Sequence, residues 1–216
     1  MTITPICVGP FQTNAYIVET KELCFLIDAP YPASSLIGKF KSLNVKPDYI
    51  LLTHAHFDHV LALPALKEAY SDVKIAVSAA DAVYLEDGGE RIRRDISYFN
   101  AESFFDLKAS YNLPKVDIYL HDGQIIENTF KAISTAGHTG GSMCFYSEEE
   151  NVLFSGDTLF SLSVGRTDIE GGSMRSLIKA LKELMTLPDN TLVLPGHGES
   201  TTIGREKKSN PYIKGF

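Results

Sequence analysis

The stretch Thr53-His-Ala-His-Phe-Asp-His59 holds three histidines and an aspartate, and it follows a short apolar run typical of a strand. Side chains two residues apart in an extended segment point to the same side, so His54 and His56 can face one metal ion. Asp58 and His59 lie where the chain is predicted to turn into a helix, which redirects their side chains toward a second position. The stretch therefore predicts two ligands for each of two neighbouring ions.

Two ions need more ligands than this stretch offers, and three further candidates each follow a predicted strand and lie beside glycine. His138 lies in Ala-Gly-His-Thr-Gly-Gly, Asp157 in Ser-Gly-Asp-Thr, and His197 in Pro-Gly-His-Gly. Glycine allows sharp turns and close backbone approach, and loops at strand ends carry functional side chains on a rigid scaffold. Imidazole and carboxylate groups are ligands of zinc, iron and manganese, so these residues together predict a metal centre.

Two other polar residues are interpreted from their neighbours. The remaining histidine, His121, precedes Asp122-Gly123, a turn signal between two predicted strands, and is expected at the surface. Asp28 ends a predicted strand just before Ala29-Pro30. It is predicted either to hydrogen-bond a ligand histidine or to serve as a turn residue.

The composition limits the class of protein. The 216 residues are 44% hydrophobic and 22% charged, which suits one folded domain, residues 1–216. The net charge of −7 favours a small-molecule substrate over a nucleic acid. The chain shows neither a signal peptide nor a continuous apolar run of about 20 residues, so it is expected in the cytoplasm and away from the membrane. Three widely spaced cysteines, Cys7, Cys24 and Cys144, each lie in an apolar, strand-like run and are predicted to be buried free thiols.

Hydrophobic periodicity predicts alternating strands and helices in the first part of the chain and a strand-rich second half. The predicted helices are a segment opened by Pro32 with apolar positions 36, 37, 40 and 43, the run 60–70, one or two helices within 91–105, and residues 173–185. The predicted strands are 15–19, 23–28, 49–52, 74–77, 116–120, 124–127, 130–135, 142–146, 152–154 and 191–194.

The arrangement of candidate ligands resembles the metallo-β-lactamase superfamily, whose pattern is His-X-His-X-Asp-His followed by a distant histidine, an aspartate and a histidine. The resemblance covers nearly the whole chain. It implies a mixed α/β (α+β) fold, the four-layer αββα sandwich in which two mixed sheets pack together with helices outside. It also implies that His54, His56 and His138 hold a first ion, that Asp58, His59 and His197 hold a second, and that Asp157 bridges both.

Within that superfamily the chain resembles single-domain bacterial proteins of the glyoxalase II type. The likeness rests on Gly156-Asp-Thr-Leu-Phe160 with Gly165-Arg-Thr-Asp168, and on Gly196-His-Gly198 with Thr201-Thr-Ile-Gly204 and Asn210-Pro211. Arg166 matches a basic residue that contacts glutathione in that family, so it is expected to bind the anionic end of the substrate. The alternative is a surface arginine paired with Asp168 or Glu170. One departure is at residues 198–200, where the family places a tyrosine and this chain has none.

The resemblance implies a metal-dependent hydrolase that cleaves a thioester, such as a hydroxyacyl-glutathione, through a hydroxide that bridges two divalent metal ions. Zinc is the expected metal, with iron and manganese as alternatives, and Asp58 is expected to orient the hydroxide. One rival on the same fold is a persulfide dioxygenase with one iron held by His54, His138 and Asp157. Other rivals are a lactonase, a phosphodiesterase and an inactive binding module, and the complete ligand set argues against the last of these.

Overall fold

The structure, a computed structural model, describes residues 1–105 and 113–214. The chain divides into two compact units. The first contains Met1–Val77 and Ala82–Tyr119, and the second contains Ser78–Asp81 and the chain from residue 120 onward. The expectation of a single domain over residues 1–216 stays a prediction. Within the described ranges, none of the helices combines the length and the apolar character needed to cross a bilayer.

The first sheet has six strands and carries the first candidate ligands at one of its ends. Its strands are β1 (Thr2–Val8), β2 (Thr13–Glu19), β3 (Cys24–Ile27), β4 (Tyr49–Leu51), β5 (Lys74–Ser78) and β6 (Ile118–Leu120), in that spatial order. β1, β2 and β3 pair antiparallel, whereas β3, β4 and β5 run parallel. β3 and β4 are buried along their whole length, which is typical of parallel strands. Asp28 and the 53–59 stretch follow the carboxyl ends of these two strands.

The helices after β3 and β4 follow the predicted pattern with one correction. Helix α1 (Ala33–Leu43) begins after Pro32, as predicted, and buries Leu36 and Phe40. The prediction of one helix over 60–70 is wrong, because the structure has α2 (Phe57–Val60) and α3 (Leu63–Ala69). Pro64 lies in the first turn of α3. Proline has no N–H to continue a helix and is tolerated at a helix start, so a new helix begins there.

Residues 81–111, which the sequence pattern left uncertain, contain two helices and a short 3-10 turn within their described part. Helix α4 (Ala79–Glu86) is not among the predicted helices. Helix α5 (Glu90–Tyr98) begins after Gly89, which has a φ of 77°, and a 3-10 helix spans Glu102–Phe104. The prediction of one or two helices within 91–105 is confirmed. Residues 106–112 lie outside the described residues.

The second unit contains a six-stranded sheet and a separate two-stranded hairpin. The strands are β7 (Ile125–Ile126), β8 (Phe130–Ser134), β9 (Met143–Ser147), β10 (Val152–Gly156), β11 (Leu159–Phe160), β12 (Ser163–Val164), β13 (Leu192–Pro195) and β14 (Thr201–Thr202). The sheet order is β14-β13-β10-β9-β8-β7, and β11 pairs with β12. Helices α6 (Met174–Leu184) and α7 (Ile203–Ser209) complete the unit. Leu177, Leu181 and Leu184 of α6 are buried in one core with Ile133 and Val193.

The expectations about the cysteines need one correction. The strand-like run around Cys7 does form a strand, β1, but the prediction that all three thiols are buried is wrong for Cys7, which is exposed. β1 is the edge strand of its sheet, so it has a neighbour on one side only. Cys24 and Cys144 are buried. Burial raises the pKa of the Cys24 thiol to about 12 and that of Cys144 to about 11, so both stay protonated at neutral pH.

Candidate metal centre

The first group of candidate ligands lies in the first unit, where the chain leaves β4. His56 has extended backbone and α2 begins at Phe57, so the chain turns between His56 and the pair Asp58 and His59, as predicted. His54, His56 and His59 are all buried. A ligand nitrogen of His54 lies within 4.8 Å of one on His56 and one on His59. The structure therefore brings these four residues together.

Asp28 hydrogen-bonds to both ends of the 53–59 stretch, at Thr53 and at His59. It follows β3 in a left-handed conformation with a φ of 58°, and it is only 1% exposed. Its Oδ1 accepts the backbone N–H of Thr53 at 2.8 Å. Its Oδ2 accepts the Thr53 hydroxyl at 2.8 Å and lies 2.9 Å from Nδ1 of His59. The predicted hydrogen bond between Asp28 and a histidine of the motif is present.

This hydrogen-bond network assigns the tautomers of two histidines. An ionised carboxylate only accepts hydrogen bonds, so Asp28 takes the hydroxyl hydrogen of Thr53 and the Nδ1–H of His59. The Thr53 oxygen then accepts from Nδ1 of His54, which lies 3.1 Å away. Both histidines consequently present an unprotonated Nε2, which is the form that binds a metal ion.

Asp58 has a hydroxyl partner of its own. The hydroxyl of Thr13, a buried residue that begins β2, donates to Oδ2 of Asp58 at 3.1 Å. The same Oδ2 lies 3.5 Å from Nε2 of His59. The Thr13 hydroxyl therefore helps to orient the Asp58 carboxylate, whose Oδ2 lies near the metal-binding nitrogen of His59.

The second group lies in the second unit and is assembled from three separate loops, which follow β8, β10 and β13. Nδ1 of His138 lies 2.8 Å from the backbone carbonyl oxygen of Arg166, which can only accept, so this ring also presents an unprotonated Nε2. Oδ2 of Asp157 lies 3.5 Å from Nε2 of His138 and 3.6 Å from Nε2 of His197. One carboxylate oxygen thus lies close to two histidines that the family resemblance assigns to different ions.

The chemistry and spacing of these atoms fit divalent metal ions. A neutral imidazole nitrogen and a carboxylate oxygen both present lone pairs, so they repel unless a cation lies between them. Two ligands bonded to one tetrahedral zinc at about 2.1 Å are separated by roughly 3.4 Å. The nitrogen–oxygen distances are 3.5 Å between His59 and Asp58, and 3.5 and 3.6 Å around Asp157. Each unit therefore presents a donor set of the kind that zinc, iron or manganese binds.

Contacts between loops hold the second group in place. Thr135 precedes the loop of His138, and Thr158 directly follows Asp157. Their hydroxyl oxygens lie 2.9 Å apart. A Cβ at Gly165 would collide with the carbonyl of Asp157, so only glycine lets the chain pass this close. This close approach places the carbonyl oxygen of the next residue, Arg166, within hydrogen-bonding distance of Nδ1 of His138.

A second buried carboxylate supports the same loop. Asp81, fully buried in the first turn of α4, accepts the hydroxyl of Thr139 at 2.8 Å, and Thr139 directly follows His138. The hydroxyl of Ser142 lies 2.8 Å from that of Thr139. A Cβ at Gly141 would collide with the Asp81 carboxylate. Asp81 thus anchors the His138 loop, a role that sequence reasoning missed.

The side chain of Arg166 pairs with Asp168, which is the alternative that the sequence left open. Nε donates to Oδ1 at 2.7 Å and Nη2 donates to Oδ2 at 2.8 Å, a bidentate pair with the arginine 45% and the aspartate 68% exposed. Hydrogen bonds from Arg166 lower the pKa of Asp168 from 3.8 to about 2, so the pair is fully ionised at neutral pH. Substrate binding by Arg166 stays a prediction.

Several threonines beside the candidate ligands also went unnoticed in the sequence. Thr53 precedes His54, Thr139 follows His138 and Thr158 follows Asp157. Each of them hydrogen-bonds a neighbouring loop or a buried carboxylate. Their position next to a candidate ligand could have drawn attention to these threonines, although nothing in the sequence identifies the group to which each of them hydrogen-bonds. His121 is exposed, as expected.

Relatives of this chain support the same interpretation. It is 33% identical over 212 residues to the probable metallo-hydrolase YqgX of Bacillus subtilis, covering 97% of this chain and 96% of that protein. It is 31% identical over 224 residues to the hydroxyacylglutathione hydrolase GloC of Haemophilus influenzae, covering 99% of this chain and 98% of the relative.

Solved structures with the same fold are similar along nearly their whole length. The B3 metallo-β-lactamase BLEG-1 matches with a TM-score of 0.85 and 34% identity, covering 99% of this chain and 100% of that one. TTHA1623, solved in a di-iron-bound form, matches with a TM-score of 0.83 and 37% identity, covering 97% and 99%. The predicted metallo-β-lactamase type of α/β fold is confirmed.

The family assignment rests on the sequence profile as well as on these individual relatives. The profile of the metallo-β-lactamase superfamily matches residues 8–197, a range that includes all seven candidate ligands. Its match ends at the last of them, His197. The chain belongs to the metallo-β-lactamase superfamily.

Proposed function

We propose that this protein is a metal-dependent hydrolase that cleaves a thioester, with a hydroxyacyl-glutathione as the leading substrate. The observation that carries the proposal is the matched spacing of neutral imidazole nitrogens and carboxylate oxygens, at 3.5–3.6 Å, in both groups of candidate ligands. Membership of the superfamily and the similarity to a hydroxyacylglutathione hydrolase support the choice of reaction.

The proposal unites the two groups in one binuclear centre. The first ion is assigned to His54, His56 and His138. The second ion is assigned to Asp58, His59 and His197, and Asp157 is shared by both. The position of Asp157 Oδ2, close to His138 and to His197, supports its assignment as the shared ligand.

Bound divalent ions supply a Lewis acid for the carbonyl oxygen and a water of lowered pKa. The residues of the chain then have separate tasks. Asp28, Thr53 and the Arg166 carbonyl keep the Nδ1 atoms of their histidines protonated and so hold each Nε2 ready to bind. Asp58, oriented by the Thr13 hydroxyl, can accept a proton at its carboxylate. A thiolate is a good leaving group, so the chain need not provide a general acid.

Arg166 is proposed to bind the anionic end of the substrate. Its guanidinium is partly exposed and already holds a carboxylate in bidentate geometry. The Asp168 carboxylate therefore occupies the position that a substrate carboxylate would take, because arginine binds both in the same way. A substrate carboxylate then has to displace Asp168 or share the guanidinium with it.

Metal analysis of the purified protein, combined with a substrate panel, tests the proposal. The panel contains a hydroxyacyl-glutathione, thioesters of other carriers, a lactone, a phosphodiester and a β-lactam, the last because one similar structure is a β-lactamase. We expect two ions per chain and fastest turnover of thioesters. One iron per chain, with oxygen consumed in the presence of a persulfide, would overturn the proposal. Because TTHA1623 was solved with two irons, zinc and iron are both loaded and compared.

A further inference from the structure

Glu206 is a fully buried carboxylate that the proposed reaction does not use. It lies on α7, and its two oxygens accept three hydrogen bonds. The Thr201 hydroxyl donates to Oε1 at 2.6 Å, while the backbone N–H of Leu162 and Nδ2 of Asn210 donate to Oε2 at 2.9 and 2.8 Å. All three partners are donors. The position therefore requires a side chain with two acceptor oxygens and no N–H of its own.

One of these contacts, together with a further hydrogen bond from Asn210, holds the tip of the β11–β12 hairpin. Phe160 pairs with Ser163, so the turn consists of residues 161 and 162. Leu162 has a φ of 58°, which is unfavourable for a residue other than glycine, and its N–H is the one bound by Glu206. Nδ2 of Asn210 also donates to the carbonyl of Ser163 at 3.0 Å. Leu159 and Val164 bury the hairpin strands in the core, and the contacts of Glu206 and Asn210 hold its tip.

One end of the hairpin adjoins the candidate ligand Asp157, and the other adjoins the residue whose carbonyl holds the candidate ligand His138. β11 begins directly after Asp157 and Thr158, and β12 runs into Gly165 and Arg166. The Arg166 carbonyl holds Nδ1 of His138, and Gly165 passes against the Asp157 carbonyl. A displacement at the tip of so short a hairpin is therefore transmitted to both residues of the His138–Asp157 pair.

We propose that Glu206 and Asn210 are positioning residues, which act through the β11–β12 hairpin to hold His138 and Asp157 in the geometry that binds metal. The inference rests on the proposed function only in that these two residues bind a metal ion. It also gives a physical role to Thr201 and Asn210, which belong to the sequence features shared with the glyoxalase II type.

Calorimetric titration of the metal-free protein with zinc tests this inference without any turnover. Glu206→Gln keeps the volume but replaces one acceptor by an NH2 group that faces a donor. We expect zinc to bind about 10- to 100-fold more weakly, the usual effect of removing a group that supports a ligand. Glu183→Gln, on the exposed face of α6, removes the same charge and should bind zinc like the wild type.

Loss of stability is separated from loss of positioning by two further variants. Leu36→Ala, in the buried face of α1, lowers stability in a hydrophobic core that does not include the hairpin strands, and it should keep wild-type zinc affinity at a temperature where it is folded. Asn210→Ala removes three side-chain hydrogen bonds, to Ser163, Glu206 and Tyr212, and decides the matter if Glu206→Gln does not fold.

The outcomes distinguish this inference from the proposed function. Wild-type zinc affinity in Glu206→Gln or in Asn210→Ala would overturn the positioning role while leaving the hydrolase proposal intact. An equal loss of affinity in Leu36→Ala would also overturn it. If the wild-type protein itself binds no zinc or iron, the metal-dependent hydrolase is the proposal that fails.

Discussion

The two groups of candidate ligands are supported in different ways. The first is contiguous in the sequence, and one buried carboxylate, Asp28, bonds to both ends of it. The second is spread over three loops and is held by a backbone carbonyl, a pair of threonine hydroxyls, the buried Asp81 and an anchored hairpin. Apart from Asp58, which the Thr13 hydroxyl holds, the first group therefore depends on one residue, whereas the support of the second is distributed.

This difference has consequences for how each group responds to substitution. Removing a single central carboxylate leaves several polar partners unsatisfied at once, and the cost of each unsatisfied buried group adds to the others. Removing one of several supports leaves the remaining ones in place. Supports that share a loop are expected to be non-additive, because residues in one network are coupled.

The largest effect is expected at Asp157, the one residue assigned to both ions. Two dications held close together repel strongly, and a carboxylate between them offsets this repulsion, which a neutral imidazole cannot do. Asp157→Asn keeps the shape and removes the charge. We expect at most one bound ion and turnover reduced by at least about 10²–10³-fold, the scale of a lost transition-state contact. Metal titration measures this, and two ions bound at wild-type affinity would contradict the shared role.

The next largest effects are expected at His56 and His59, which are assigned to different ions. His56→Ala and His59→Ala should each remove one ligand and abolish hydrolysis, with each variant losing mainly its own ion. Metal content and thioester turnover are measured together. Near-normal turnover with full metal content in both variants would instead favour a site in which only His54, His138 and Asp157 matter.

Central and distributed support can be compared directly by substituting one supporting residue in each unit. Asp28→Asn should weaken metal binding in the first group by about 10- to 100-fold, because it disturbs Thr53 and His59 together. Thr158→Val, which removes one hydroxyl beside Asp157, should have a smaller effect. Zinc titration of both variants provides the measurement. An equal or larger loss in Thr158→Val would show that the contrast between the two units is wrong.

The smallest effect is expected at Arg166, whose backbone supports the site but whose side chain does not. Arg166→Ala keeps the carbonyl that holds His138, so metal content should be unchanged. For acidic thioesters, KM should rise more than kcat falls, as for the loss of binding that is equal in ground and transition states. Asp168→Asn is the matched control, since it removes the negative charge that pairs with the guanidinium and keeps the arginine. An unchanged KM in Arg166→Ala would remove the substrate-binding role.

The sequence predicted most of the elements that carry the candidate ligands, because buried strands and amphipathic helices leave a local pattern. It missed the break between α2 and α3, where the apolar run continues but Pro64, in the first turn of α3, begins a new helix. It also took Cys7 as buried, since an apolar neighbourhood in the chain does not reveal which strand lies at the edge of a sheet.

By itself, the sequence determined the kind of ligands and the local geometry of the first group, because residues 54–59 lie on one strand-to-helix turn whose spacing sets where each side chain points. Tertiary structure alone decided that His59 and His138 carry their proton on Nδ1, that the Arg166 carbonyl supports His138, and that Glu206 anchors the hairpin beside Asp157. These contacts join residues 28 to 44 positions apart. Their partners are backbone groups or common polar side chains, which leave no pattern in a sequence and meet only when the loops have taken their paths.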